Sequence, residues 1–82
     1  MEKHNRKKIG ITVDAYKLAK YQEALEKLGF EENVDFESTK ILRDGTMLIG
    51  IFVTEKEFVN TTQLIQDMCV RLELAFKQKH SL

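Results

Sequence analysis

Residues 44–54, DGTMLIGIFVT, open on a tight-turn pair and then run almost wholly apolar, and this segment constrains the fold more than any other. Its length suits one β-strand, whose alternate side chains point to opposite faces. Met47, Ile49, Ile51 and Val53 would occupy one face, and Leu48 and Phe52 the other. The strand therefore needs cover on both sides, in a chain of only 82 residues. A domain of this size buries only about 60 % of the surface its unfolded chain exposes. Its core supplies roughly 3–5 kcal/mol, so good packing or a partner has to make up the rest.

Other sources of stability are scarce. Cys69 is the single cysteine, which excludes an internal disulfide. His4 and His80 lie in opposite tails without further ligands at zinc spacing, and no cofactor is implied. Thirteen basic residues balance thirteen acidic ones, so no overall field draws the chain to nucleic acid or a membrane surface. No apolar run approaches the length of a membrane span, and MEKHNRKK leads into a strand instead of a signal-peptide core. One unpaired cysteine without an export signal places the expectation in the cytoplasm, with no membrane partner.

The organisation expected is a flexible basic tail over 1–7, one α+β domain over 8–79 and a short tail over 80–82. KKIGITV (7–13) alternates Ile9, Ile11 and Val13 against Lys8, Gly10 and Thr12, the pattern of a half-buried strand, β1. Asp14 stands where a helix N-cap belongs. Residues 15–28 then set Leu18, Tyr21, Leu25 and Leu28 on one face of a helix, α1, with Lys20, Gln22, Glu23 and Lys27 opposite. Gly29 supplies its C-terminal stop. In residues 31–43, β2, Phe36 and Ile41 fall on opposite parities, which calls for a bulge near Ser38–Lys40 or a strand starting only at Phe36. Asp44–Gly45 turns the chain into the quoted strand, β3. Thr54 and Glu57 form a capping box. The second helix, α2, begins at Glu55 or at Thr61, and carries Phe58, Ile65, Met68, Cys69, Leu72 and Phe76 on one stripe.

The order β1-α1-β2-β3-α2, with right-handed crossovers and paired hairpin strands, predicts a two-layer sandwich. β3 is central in a three-stranded sheet and both helices lie on one face. This is a split β-α-β, a ferredoxin-like arrangement lacking its final strand. On the bare face lie Leu48, Phe52, Thr12 and Gly50, joined by Ile41 or by Phe36 and Leu42 according to the phase of β2. Leaving a leucine or phenylalanine exposed forgoes roughly 1.5–3 kcal/mol. A contiguous apolar patch of this kind marks a partner surface. Val70 and Leu74, one turn apart on the far side of α2, and Tyr16 on α1 add to it.

The expected function is accordingly a small non-enzymatic interaction module, of adaptor, inhibitor or accessory type. It forms a homodimer or docks on a protein partner through Leu48, Phe52, Ile41, Thr12, Gly50, Val70 and Leu74. The alternative is a nucleic-acid-binding module using Phe52 with Lys3, Arg6, Lys7 and Lys8. IGIFV is similar to the third-strand motif of the RNA-recognition module, which stacks bases on strand aromatics. Phe52 is the one aromatic placed for that role, and a fourth strand is missing. A ligand-sensing regulatory dimer is a second alternative. No catalytic group emerges: Cys69 lies on the apolar stripe of α2, and Asp14 is explained as a cap.

Overall fold

The computed structural model describes residues 6–80, with backbone alone for residues 39, 40, 79 and 80. The chain forms a compact α+β fold in the order β1 (Arg6–Asp14), α1 (Leu18–Lys27), β2 (Phe36–Ile41), β3 (Thr46–Thr54) and α2 (Phe58–His80). The sheet order is β1-β3-β2 and both pairings are antiparallel, so β3 is the central strand, as its composition predicts. Among the described residues no helix is long and apolar enough to cross a membrane.

The core follows the strand parity. Ile49, Ile51 and Val53 of β3 are buried in one cluster with Val13 of β1, Tyr21 and Leu25 of α1, Phe36 of β2, and Ile65 and Met68 of α2. Leu18, Leu28, Phe58, Cys69, Leu72 and Phe76 pack around it half-buried, so both helical stripes read from the sequence meet this cluster. Leu48 and Phe52, the intervening large residues of β3, do not belong to it.

The bulge in β2 fixes which side chains enter. Glu37 lies opposite Gly50 and Lys40 opposite Leu48, so three steps along β2 match two along β3. One extra residue restores Ile41 to the parity of Phe36, which is the physical reason the two apolar residues are out of phase in the sequence. Gln22 is not a plain solvent residue of α1: its amide donates to Ser38 Oγ at 2.7 Å, tying the helix to the bulged segment. The hairpin closes by Leu42 N–H to Thr46 O at 2.8 Å and Gly45 N–H to Leu42 O at 3.0 Å. Gly45 has φ of 87°, giving a turn whose left-handed position requires glycine. The Asp44 carboxylate accepts from the amide and hydroxyl of Thr46, which holds it below the usual aspartate range.

The helix ends differ in part from expectation. α1 closes as foreseen at Gly29: Phe30 N–H reaches Leu25 O and Gly29 N–H reaches Glu26 O, the paired bonds of a Schellman stop. At its start, Asp14 makes no side-chain cap bond. A 3₁₀ turn, Ala15–Lys17, intervenes, and the Asp14 carboxylate lies 3.5 Å from Lys17 Nζ instead. Likewise Thr54 Oγ1 meets Glu57 Oε1 at 3.1 Å, side chain to side chain, and caps no backbone amide. A 3₁₀ turn, Glu55–Glu57, leads into α2, which then runs unbroken through Asn60.

Candidate interaction surfaces

Every backbone pair across β1 and β3 is in continuous register: Lys8 opposite Phe52, Gly10 opposite Gly50, Thr12 opposite Leu48. These residues share the face that carries no core side chain. The facing glycines leave a trough between Leu48 and Phe52. It is filled from within the chain: a Cβ on Gly50 would lie 2.5 Å from Lys8 Cε, so the Lys8 stem crosses that position. Long basic side chains lay their methylenes on apolar surface in this way. Leu48 and Phe52 are consequently half-buried, and the patch is narrower than the sequence suggests. Phe36 is in the core, and Ile41, 69 % exposed, lies opposite Met47, on the parity of Ile49. The bulge thus takes both of them off the parity of Leu48 and Phe52.

A second surface forms where the start of α1 meets the C-terminal half of α2. Tyr16, Val70 and Leu74 are 66, 59 and 53 % exposed and line one open groove of about 560 Å³. The sequence pairs Val70 with Leu74 on α2 and sets Tyr16 apart on α1; the packing of α1 on α2 brings all three to one groove. Tyr16 meets Phe76 edge to face at 6.1 Å between ring centres. Lys17 Nζ sits 5.6 Å from one ring centre and 5.3 Å from the other. Cation–π attraction adds to that placement.

Lys17 and Glu73 give the lining of this groove a charged pair. Lys17 Nζ donates to Glu73 Oε1 at 2.7 Å, and the Tyr21 hydroxyl donates to the other Glu73 oxygen. The hydrogen bond to Glu73 raises Lys17 above the ordinary lysine value. The bonds from Lys17 and then Tyr21 hold Glu73 below the usual glutamate range. Burial, followed by the bond to Glu73, pushes Tyr21 up. All three shifts favour a charged Lys17, a charged Glu73 and a neutral Tyr21. Sequence reasoning missed this cluster, because Lys17 and Glu73 are 56 positions apart and nothing in either neighbourhood marks the other.

Cys69 borders both this groove and a neighbouring cavity of about 500 Å³ between β1 and α2. Burial first, and the Glu73 charge second, raise its thiol above the ordinary cysteine value. The thiolate is the reactive form, so Cys69 should alkylate at pH 8 more slowly than free cysteine. A maleimide or iodoacetamide time course on the folded and urea-unfolded chain checks this; equal rates would make Cys69 an accessible thiol.

Of the basic residues in the nucleic-acid alternative, Lys3 lies outside the described residues. Arg6 belongs to β1 and is engaged elsewhere: its guanidinium bonds Asp35 at 3.0 Å and the Phe52 carbonyl at 3.3 Å. Lys7 lies opposite Val53, on the core parity of the strand, which leaves Lys8 on the face of Phe52. Among the described residues no group of three His, Cys, Asp or Glu is placed to hold a metal ion. A scan against protein-family models, and searches of curated proteins and of solved structures, found no match for this chain.

Proposed function

We propose that this chain is a small non-enzymatic interaction module that docks on a protein partner, or on itself, through the outer face of its sheet. Its architecture is read as two layers, with both helices on one face in a ferredoxin-like arrangement without a fourth strand. The observation that carries the reading is the split in β3. Its odd-numbered residues all join or border the core, whereas Leu48 and Phe52 stand apart from it beside two facing glycines. Apolar side chains on a face without core packing suit a contact surface. The Lys8 stem provides a displaceable cover that a partner would exchange for its own side chains.

The test pairs Leu48→Thr with Phe52→Thr, which keeps β-propensity while removing the apolar surface. Solution mass by light scattering over a wide concentration range, and pull-down with the same two proteins as bait, give the readout. Association should weaken at least about tenfold, with the circular dichroism spectrum unchanged. Undiminished association of the double variant would sink the outer-face reading.

A further inference from the structure

The two edges of the sheet are unequally defended. β2 is six residues long and interrupted by its bulge, the usual way a sheet edge is blunted. β1 is nine residues long, without proline or bulge, and among the described residues it pairs with β3 alone. The ladder also shows which backbone groups β1 leaves open. Phe52 N–H bonds to Asp35 O, so even-numbered residues of β3 turn their backbone toward β2 and odd-numbered ones toward β1. Backbone groups alternate along a strand, so Ile9 and Ile11 bond to β3. Lys8, Gly10 and Thr12 then direct their N–H and C=O groups outward. A cavity lined by Ile11, Val13, Cys69 and Glu73 lies between this strand and α2.

We propose that the open edge of β1 is a self-association site, pairing antiparallel with β1 of a second copy about a two-fold axis at Ile11. The strand is complementary to itself in this register. Ile11 meets Ile11 of the second copy once, on the axis, whereas Ile9 meets Val13, Gly10 meets Thr12, and Lys8 meets Asp14, each twice by symmetry. The outward backbone groups of Lys8, Gly10 and Thr12 then fall in hydrogen-bonded pairs. β-branched residues face one another at the closer, non-hydrogen-bonded positions. Opposite charges end the paired segment on both sides. Shifting the axis to Gly10 would set Lys7 against Val13 and ask Arg6, already bound to Asp35, to serve Asp14. The Ile11 register is favoured over the Gly10 one because it keeps Lys7 off Val13 and leaves the Arg6–Asp35 pair intact. The pairing joins two sheets into one and lays the two outer faces side by side. It rests on the backbone edge of the strand, with Lys8 and Thr12 also lying on the outer face proposed above for docking.

Three variants of the full chain test this. Thr12→Pro removes an outward N–H without touching the β3 ladder, since proline is tolerated on an edge strand whose N–H faces solvent. It should turn a concentration-dependent dimer into a monomer of unchanged circular dichroism. Should Thr12→Pro unfold, the charge variants still decide. Lys8→Glu should raise the dimer dissociation constant on the order of tenfold, and adding Asp14→Lys should restore it. In a Cys69→Ser background, Ile11→Cys should cross-link to its own copy on air oxidation, because facing non-hydrogen-bonded residues lie within disulfide reach. Ile9→Cys should not. A wild-type chain that sediments as a monomer at millimolar concentration overturns the proposal. So does a dimer that survives Thr12→Pro folded but is lost with Leu48→Thr and Phe52→Thr, which assigns association to the outer face. Cross-linking at position 9 but not at 11 overturns the register.

Discussion

Phe36→Ala should cost about 3–5 kcal/mol and leave most of the chain unfolded at 25 °C. Phe36 is fully buried, at 0 % exposure, and is among the largest side chains in the core. It lies opposite Ile51 on the central strand and belongs to the cluster that holds Leu25 of α1 and Ile65 of α2. Truncation would remove its transfer energy and leave a cavity at the junction of β2 with the rest of the core. A domain of this size has roughly that much stability in total. Val34, two residues earlier and 45 % exposed, is the matched control. Val34→Ala should stay within about 0.5 kcal/mol of wild type. Urea melts followed by circular dichroism compare the three proteins. A Phe36→Ala chain that melts cooperatively near the wild-type midpoint would show that β2 does not seat this ring in the core.

The contrast between Phe36 and Val34 also shows what the sequence makes legible. Local periodicity is enough where one element decides its own phase: the alternation in β1, the α1 stripe through Tyr21 and Leu25, and the apolar centre of β3 all translate directly into burial. The Asp44–Gly45 turn and the Gly29 stop are equally local, because each depends on a positive φ that glycine supplies at its own position. The phase of Ile41 is ambiguous in the sequence for a physical reason. A bulge changes parity without leaving a compositional mark, so the register between Glu37 and Lys40 is set only by pairing with β3. Asp14 and Thr54 illustrate a second limit. Both have the residue types of a cap, yet a 3₁₀ turn follows each and turns their side chains toward Lys17 and Glu57. Lys8 illustrates a third: that its stem covers Gly50 depends on a cross-strand neighbour more than forty positions away.

The polar cluster under the α1–α2 groove is the part of the surface that no local pattern announces, and its removal should be felt as a change in pH dependence. Glu73→Ala takes away the acceptor of both Lys17 Nζ and the Tyr21 hydroxyl. Tyr21 lines the open cavity beside Glu73, so water can take the place of the lost acceptor and the cost is about 0.5–1.5 kcal/mol. The acid limb follows from the sign of the shift. Glu73 is depressed below its ordinary value of 4.5 by Lys17 and Tyr21, so the stability it contributes is present above that pH. It is lost as pH falls through the lower folded value. Lys17 and Tyr21 are raised above 10.5 and 10.0, so their contribution is present below about pH 10 and is lost as pH climbs through the folded values. Wild type should therefore hold a plateau across neutral pH and fall away on both sides. Glu73→Ala should start from a lower plateau with a shallower acid limb, the residual slope belonging to groups such as Asp44, which is also depressed. Tyr21→Phe keeps the ring in the core and removes only the donor, so the cycle Glu73→Ala, Tyr21→Phe and the double variant isolates their coupling. Additive losses across that cycle, with acid limbs of equal slope, would reduce the cluster to a surface ion pair. A coupling near 1 kcal/mol would make it the polar clamp that fixes α1 against α2, and with it the placement of Tyr16, Val70 and Leu74 around one groove.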